Sequence, residues 1–164
     1  MRDTTRWLRT VDLDKAVDIE ASLYANPWNR RRFEKFMSGD GNRILGMFRG
    51  KELLGYICFV EFRRRISVER MIVQDRRATG GDVHVIITLI ESIKEMLPTT
   101  HTVRIEMEID FADQETLKLL KDLDFKSEPW VDGTYIHSGT QRLLMVHRPS
   151  GYCRNVQHDE DVSA

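Results

Sequence analysis

Few side chains in this sequence have the types and spacing that chemistry at a site usually requires. The five histidines are scattered, and no pair of them has the spacing of metal ligands. No Ser-His-Asp or Cys-His order suggests an activated nucleophile, and Cys58 and Cys153 suggest neither a disulfide framework nor a metal site. The Gly80-Gly81 pair precedes a long amphipathic pattern, so a helix N-terminus that can bind an anion is one candidate site.

The composition indicates one ordinary globular domain. Of 164 residues, 41% are apolar and 31% are charged, and the formal net charge is −1. This balance argues against a dedicated nucleic-acid binder, although Arg30-Arg31-Arg32 and Arg63-Arg64-Arg65 are either local positive patches or solvated surface. No stretch approaches the roughly 20 apolar residues that cross a bilayer, and no secretory signal is recognisable. We therefore expect a cytoplasmic protein that does not bind membranes.

Strand and helix patterns alternate in the order β-α-α-β-β-β-α-β-α-β-β. Asp12 or Asp14 can cap the first helix and Asn29 the second, and the apolar spacing is strongest in the third. The first predicted helix ends at about residue 24. The other three cover residues 30–37, 82–97 and 114–123. The predicted strands cover residues 5–9, 43–48, 52–62, 67–73, 102–109, 125–131 and 141–147.

This element order predicts an α/β (α+β) fold with a mixed sheet of about seven strands and about four flanking helices. Residues 67–110 form a β-α-β unit, so its two strands should be parallel neighbours joined by a right-handed crossover. We expect residues 1–148 to form a single domain. Residues 149–164 form a polar tail, which we expect to be disordered.

Three stretches carry a recognisable pattern. Ile19-Glu20 is followed after six residues by Pro27-Trp28, Met71-Ile72-Val73 precedes a glycine loop, and Glu108 lies near a strand end. In this order they resemble the GNAT superfamily of acetyl-CoA-dependent N-acyltransferases, in particular the ribosomal-protein alanine N-acetyltransferases that modify protein N-termini. The resemblance covers residues 6–147. It implies a central parallel strand pair that is splayed at one end, acetyl-CoA as co-substrate, no metal, and an amine or peptide acceptor.

In the resembled subfamily, the loop between the first two helices borders the peptide acceptor. The resemblance therefore assigns Pro27 and Trp28 to acceptor binding; the alternative is that Trp28 and Phe33 are core anchors beside a proline that ends the helix. Gly133-Thr134-Tyr135 and the later Leu143-Leu144-Met145 resemble the last β-hairpin of the fold. By this resemblance, Tyr135 either lines the acceptor channel or takes the place of the tyrosine that acts as general acid in the subfamily, a position that leucine occupies in this sequence.

The loop Arg77-Ala78-Thr79-Gly80-Gly81-Asp82 resembles the Arg/Gln-x-x-Gly-x-Gly/Ala loop with which GNAT enzymes bind the pyrophosphate of CoA. The resemblance assigns this loop, together with the backbone of Met71, Ile72 and Val73, to the cofactor. Asp82 departs from the pattern, and its carboxylate would occupy N–H groups and repel phosphate. The alternatives are an ordinary helix cap at Asp82, or a register shifted by one residue.

The third stretch continues from Glu108 into the fourth predicted helix, where Asp113, Leu120 and Asp124 follow. It resembles the strand end and the Asn-x-x-Ala-x-x-x-Tyr-x-x-x-Gly-Phe helix of the subfamily. Glu108 falls on the glutamate that acts as general base there, directly or through water. The alternative for Glu108 is a solvent-facing residue paired with Arg104. By the same resemblance, Asp113 stands at a cofactor-site asparagine, Leu120 replaces the tyrosine acid, and Asp124 replaces a glycine.

Taken together, the resemblance implies an N-acyltransferase that transfers an acetyl group to a primary amine such as a protein or peptide N-terminus. A monomer or a homodimer fits this expectation. The departures at Asp82, Asp113, Leu120 and Asp124 cluster in the cofactor and acid positions. The alternative is therefore a non-catalytic GNAT-fold protein that serves as a binding module or scaffold.

Overall fold

A computed structural model describes residues 2–74, 81–97, 104–128, 136–137 and 140–149. Its helices are α1 (Leu13–Leu23), α2 (Arg30–Met37), α3 (Gly81–Met96) and α4 (Gln114–Asp122). Its strands are β1 (Asp3–Trp7), β2 (Asn42–Arg49), β3 (Glu52–Glu61), β4 (Arg65–Val73), β5 (Arg104–Asp110), β6 (Lys126–Glu128), β7 (Ile136–His137) and β8 (Thr140–His147). The polar tail from residue 150 onwards lies outside the described residues.

The strands form a mixed sheet in which seven strands follow the order β1-β2-β3-β4-β5-β8-β6. The described pairings are antiparallel except for β4 with β5, which are parallel and connected through α3. The predicted fold class and the β-α-β unit are therefore confirmed. The short strand β7 pairs with β8. It was not among the strands predicted from the alternating pattern, because two residues are too few to show one, although the resemblance implied a β-hairpin in this region.

Side chains that accept hydrogen bonds from backbone N–H groups precede the first two helices. Helix α2 begins where predicted, and the Asn29 side chain accepts a hydrogen bond from the Arg32 backbone N–H at 2.9 Å. Before α1, Asp12 accepts from the Arg9 backbone N–H at 3.0 Å and closes a turn of 3₁₀ helix, while Asp14 is exposed. The hydrogen bond from Arg6, helped by the Arg9 N–H, lowers the pKa of Asp12 although burial opposes it.

Two apolar cores lie on opposite faces of the sheet, because successive strand residues point to opposite sides. Helices α1 and α2 cover one face, where the largest buried side chains include Phe33, Phe48 and Tyr56. Helices α3 and α4 cover the other face. The apolar side of α3 is buried there as predicted, through Val85, Ile86, Leu89, Ile90 and Ile93. None of the described helices is long and apolar enough to span a bilayer.

The parallel pair at the centre of the sheet is splayed. Strands β4 and β5 pair from Arg65↔Arg104 to Val68↔Met107 and no further. Beyond that point β4 continues to Val73 and β5 to Asp110, each held by its antiparallel neighbour on the other side. The expected V-shaped opening between the two strands is therefore confirmed.

The end of α4 holds an unfavourable backbone conformation. Asp124 has a φ of 65°, the one non-glycine residue of the described chain in the left-handed region. Its N–H donates to the Lys121 carbonyl at 3.1 Å, and the N–H of Phe125 donates to the Leu120 carbonyl at 2.9 Å. This is the geometry of a helix end that usually carries glycine. The departure from glycine noted in the sequence therefore falls on a position that requires a left-handed residue.

We expect Asp124→Gly to raise the free energy of unfolding by about 0.5–1 kcal/mol, because glycine adopts positive φ without a steric cost. Urea unfolding measures this change. The matched control is Asp122→Gly, because Asp122 is the last residue of α4 and should gain nothing, with a loss of about a few tenths of a kcal/mol. A loss of stability in Asp124→Gly would contradict the explanation.

Candidate active site

The open part of β4 presents backbone groups to the cleft. The Gln74 N–H donates to the Leu54 carbonyl at 2.8 Å, in register with the pairs of β3 and β4. Because hydrogen-bonded and non-bonded pairs alternate in an antiparallel ladder, the backbone groups of Ile72 face β3. Those of Met71 and Val73 face the opposite way, toward β5. The cleft-facing edge of β4 is therefore formed by the N–H and C=O groups of these two residues.

The same reasoning applies to β5 on the other side of the opening. The Phe111 N–H donates to the Gln141 carbonyl at 2.8 Å, which continues the ladder between β5 and β8. Alternation along this ladder turns the backbone groups of Glu108 and Asp110 toward β4. The V is thus lined on both sides by backbone groups that no strand partner uses within the described residues.

Glu108 lies at this opening with its side chain accessible. It points to the sheet face that α1 and α2 cover, and about 40% of its side chain is exposed. The Arg142 Nη1 lies 3.6 Å from the Glu108 Oε2, and the Arg104 guanidinium instead pairs with Glu106 at 3.1 Å. The alternative pairing of Glu108 with Arg104 is therefore wrong. A long, half-exposed ion pair of this kind contributes little energy, so Arg142 leaves the carboxylate available.

A cavity of about 450 Å³ lies in front of Glu108. Besides Glu108, its walls include the side chains of Ser67, Glu69, Glu106, Arg142 and Leu144. Glu69 is the extra residue of a bulge in β4, because the register with β3 shifts between Arg70 and Val68. The bulge turns an additional carboxylate toward the cavity. The strand pattern gave no signal for it, because the shift depends on the pairing with β3.

A buried carboxylate fixes the loop between α1 and α2. Glu20 is fully buried, and its Oε1 accepts hydrogen bonds from the Tyr56 hydroxyl and the Arg70 Nε, both at 2.5 Å. Its Oε2 accepts from the Arg70 Nη2 at 2.6 Å and from the Trp28 backbone N–H at 3.0 Å. One side chain of α1 therefore holds the Trp28 loop, the strand β3 through Tyr56 and the bulged strand β4 through Arg70.

The protonation states of this network follow from its contacts. Burial raises the pKa of Glu20, but the hydrogen bonds from Arg70, Tyr56 and the Trp28 N–H outweigh burial, so the net pKa is lowered. Burial and the hydrogen bond to Glu20 both raise the pKa of Tyr56. The network is thus a carboxylate, a neutral phenol and a guanidinium at ordinary pH. The sequence carried a signal for Glu20, because it continues the buried spacing of Leu13, Ala16 and Val17.

Trp28 belongs to the core. It is 8% exposed, and its ring centroid lies 5.3 Å from that of Phe33 and 5.6 Å from that of Phe36. The interpretation of Trp28 and Phe33 as core anchors is therefore confirmed. Trp28 nevertheless lines a second cavity of about 940 Å³, which is bordered by α2. Glu69 lines both this cavity and the first one. Pro27 is exposed on the loop beside it.

Two positions of the α4 stretch have structural roles. The Asp113 side chain accepts a hydrogen bond from the Thr116 N–H at 3.1 Å and caps α4. Its assignment to the cofactor stays a prediction. Leu120, which stands where the resembled subfamily has a tyrosine acid, is fully buried in the core beneath α3. Its surroundings are apolar, so the side chain at this position is adapted to packing.

We expect Leu120→Tyr to lower the free energy of unfolding by about 1–3 kcal/mol, because the larger ring and its hydroxyl overfill an apolar core. Thermal or urea unfolding measures the loss. Lys118→Tyr on the exposed side of the same helix is the control and should change stability little. A stable Leu120→Tyr variant with faster acyl transfer would show instead that the tyrosine reaches the cleft.

Part of the site that the resemblance assigns is not among the described residues. Arg77, Ala78, Thr79, Gly80 and Tyr135 lie outside the described residues. The backbone of Gly81 and Asp82 begins α3, and their side chains lie outside the description as well. The roles of these residues stay predictions. Within the described ranges, no group of His, Cys, Asp and Glu side chains could hold a metal ion.

Comparison with known proteins gives a clear result for the fold. No family model matches the sequence, and no curated protein sequence matches it. Among solved structures, the ribosomal-protein-S18-alanine N-acetyltransferase from Escherichia coli matches with a TM-score of 0.72 at 17% identity, covering 94% of this chain and 99% of that one.

Two further structures agree with the first. The PaiA N-acetyltransferase from Thermoplasma acidophilum, solved in complex with coenzyme A, has a TM-score of 0.70 at 12% identity and covers 91% of this chain and 100% of its own. An acetyltransferase of the GNAT family from Streptococcus pneumoniae has a TM-score of 0.66 at 16% identity, with coverage of 90% and 100%. The chain therefore has the GNAT fold over nearly its whole length.

Proposed function

We propose that this chain is an acetyl-CoA-dependent N-acyltransferase that acts on a primary amine such as a peptide N-terminus. The observation that carries the proposal is the splayed pair of β4 and β5 with Glu108 at its open end. The cleft offers backbone groups without a strand partner on both strands, and an accessible carboxylate, Glu108, faces the cavity beside it. The acetyltransferases of similar fold support acyl transfer as the reaction class.

The β4 edge fits the pantetheine arm of CoA. This arm is an extended chain with two amide groups, and it can pair with a strand edge as a further strand would. The backbone groups of Met71 and Val73 face the opening, so they are the ones that would hold it. The alternation also favours the Val73 N–H over that of Ile72 as the donor to the thioester carbonyl, because the Ile72 N–H faces β3.

The proposed reaction is a direct transfer from thioester to amine. The neutral amine nitrogen attacks the thioester carbonyl carbon, a C–N bond forms and the C–S bond breaks. A carboxylate at Glu69 favours entry of the amine as its cation, which gives one proton to water and so becomes the neutral nucleophile. After the attack, Glu108 accepts the second proton from the nitrogen, directly or through one water. The departing thiolate takes its proton from water, because the buried leucine at position 120 has none to give.

The second candidate function is a non-catalytic scaffold of the same fold. It is favoured by one observation in the structure, which is that Leu120 is packed into the core where the resembled enzymes have their acid. The unpaired backbone edges, however, depend on no side chain. Loss of the acid therefore lowers efficiency without removing the binding site.

The proposal is tested by release of free CoA thiol from acetyl-CoA in the presence of short peptides with a free N-terminus, with mass spectrometry of the peptide. We expect acetylation at the α-amine and no reaction with a peptide whose N-terminus is already blocked. Peptides that stay unmodified while acetyl-CoA binds would support the scaffold. Hydrolysis of acetyl-CoA without a modified peptide would contradict an amine as acceptor.

A further inference from the structure

The second cavity is a groove with positively charged side chains along one wall. Arg31, Arg32 and Lys35 of α2 stand on this wall, and their side chains are exposed. We call the wall that these three residues form the α2 cation wall. Its floor is formed by Trp28 and Phe36, which are largely buried.

The cations of this wall have no carboxylate partner among the described residues. The neighbouring Arg30 takes both nearby acids, with its Nη1 2.5 Å from Asp14 and its Nε 2.9 Å from Glu34. The Arg32 guanidinium lies 4.7 Å from the centre of the Trp28 ring, which orients it without neutralising it. The wall therefore presents three positive charges that α2 itself does not balance.

The other charges of the groove do not cancel the wall. Arg70 also lines the groove, but its charge is matched by the buried Glu20 carboxylate at 2.5 Å. Among the described residues that line the groove, Glu69 is the one acidic residue, and it also lines the cavity in front of Glu108. The groove thus has an acidic residue, Glu69, where it meets the proposed reaction site, and a positive side along α2. The cavity of that site is lined by four glutamates and three arginines, Arg65, Arg104 and Arg142, so its own charges nearly balance.

We infer that the acceptor is a peptide with a free N-terminus and acidic residues directly after it. Its α-ammonium is drawn to Glu69 and Glu108, and its following side chains lie along the α2 cation wall over the Trp28 floor. The inference rests on the proposed function and specifies its substrate class. Charge complementarity of this kind favours one acceptor over others and speeds encounter, and both effects weaken as salt is added.

The test compares three peptides that share the first residue and carry Asp, Asn or Lys at positions two to four. We expect kcat/KM for the Asp peptide to exceed that for the Lys peptide by about tenfold or more, mainly through KM, because three exposed charge pairs each contribute modestly. Added sodium chloride should narrow this difference. Equal rates for the three peptides would overturn the inference and leave the proposed function standing.

A charge-reversed variant locates the effect. Arg31→Glu combined with Lys35→Glu should invert the order of the Asp and Lys peptides. Both positions are exposed, so the fold should tolerate the change. Lys118→Glu with Lys121→Glu, on the exposed side of α4, is the matched control and should keep the wild-type order. If the control shifts the preference as much as the α2 variant, overall charge explains it and the groove does not.

Peptide binding measured by calorimetry without acetyl-CoA separates the inference from catalysis. We expect the Asp peptide to bind the wild type more tightly than it binds the α2 variant. Binding of the Asp peptide with no transfer to any peptide would contradict the proposed function and keep the groove as an acidic-peptide site. No difference in binding between the two proteins would overturn the inference.

Discussion

Replacing Glu108 with glutamine should lower the rate of acetyl transfer by roughly 10²–10⁴-fold, the usual contribution of a positioned general base. The amide keeps the size of the side chain but cannot accept the amine proton. Acetyl-CoA affinity should change little, because the proposed cofactor contacts are backbone groups of β4. Steady-state kinetics with an acceptor peptide and calorimetry with acetyl-CoA measure the two quantities.

The control for this variant is Glu95→Gln. Glu95 is exposed on α3, which covers the sheet face opposite to Glu108, so its replacement should leave the rate unchanged. Glu69 is a further exposed carboxylate at the cavity, and Glu69→Gln distinguishes its role from that of Glu108. A rate within a few-fold of the wild type in Glu108→Gln would remove this residue from the mechanism. A large loss of rate in Glu69→Gln alone would show that Glu69, the bulge residue of β4, is the general base.

Replacing Glu20 should cost more stability than any other single change considered. Glu20→Gln leaves the partly buried Arg70 guanidinium without its carboxylate. Breaking a fully buried ion pair from one side costs about 3–5 kcal/mol, and the 22% exposure of the Arg70 side chain places the expected loss at the lower end of that range. Urea unfolding measures the loss. Glu34→Gln, which removes only the exposed pair with Arg30, is the matched control and should cost less than about 1 kcal/mol.

The same network gives the stability a dependence on pH. The pKa of Glu20 is lower in the folded chain than its ordinary value of 4.5. Its contribution is therefore complete above about pH 4.5 and is lost as the pH falls through the folded pKa. We expect the free energy of unfolding to fall less steeply with decreasing pH, below about pH 4.5, in Glu20→Gln than in the wild type. Equal slopes would contradict the assigned charge state.

A double replacement shows whether the loss of stability comes from the Arg70 charge that is left without its carboxylate partner. Glu20→Gln combined with Arg70→Met should lose less stability than the sum of the single changes, because neither variant side chain then leaves a buried charge alone. Additive losses would mean that the two residues act independently. Circular dichroism of each variant verifies that it folds before the unfolding curves are compared.

The sequence was sufficient for the features that depend on local pattern. The α2 boundaries follow from Asn29 as cap, and the parallel β4–β5 pair follows from the strand-helix-strand order around α3. The splayed opening was expected from the resemblance. These features need only neighbouring residues or a topological rule that few folds break.

The remaining features depend on contacts between distant parts of the chain. Glu20 meets Tyr56, which is 36 positions away, and Arg70, which is 50 positions away. The bulge at Glu69 depends on the register with β3. The triplet of arginines at the start of α2 is visible in the sequence. Only the structure shows that Arg30 is paired with two acids, while Arg31 and Arg32 have no carboxylate partner in the described part of the chain. No periodicity along one segment encodes such pairings.

The central claim is that the open edge of β4 binds acetyl-CoA, and calorimetric titration of the full chain with acetyl-CoA tests it most directly. We expect one site with a dissociation constant in the micromolar range. Adenosine 3′,5′-bisphosphate, which lacks the pantetheine arm, should bind more weakly because it cannot pair with the backbone of Met71 and Val73. No detectable heat or thermal stabilisation with acetyl-CoA at saturating concentration would contradict the claim and leave the chain as a scaffold of this fold.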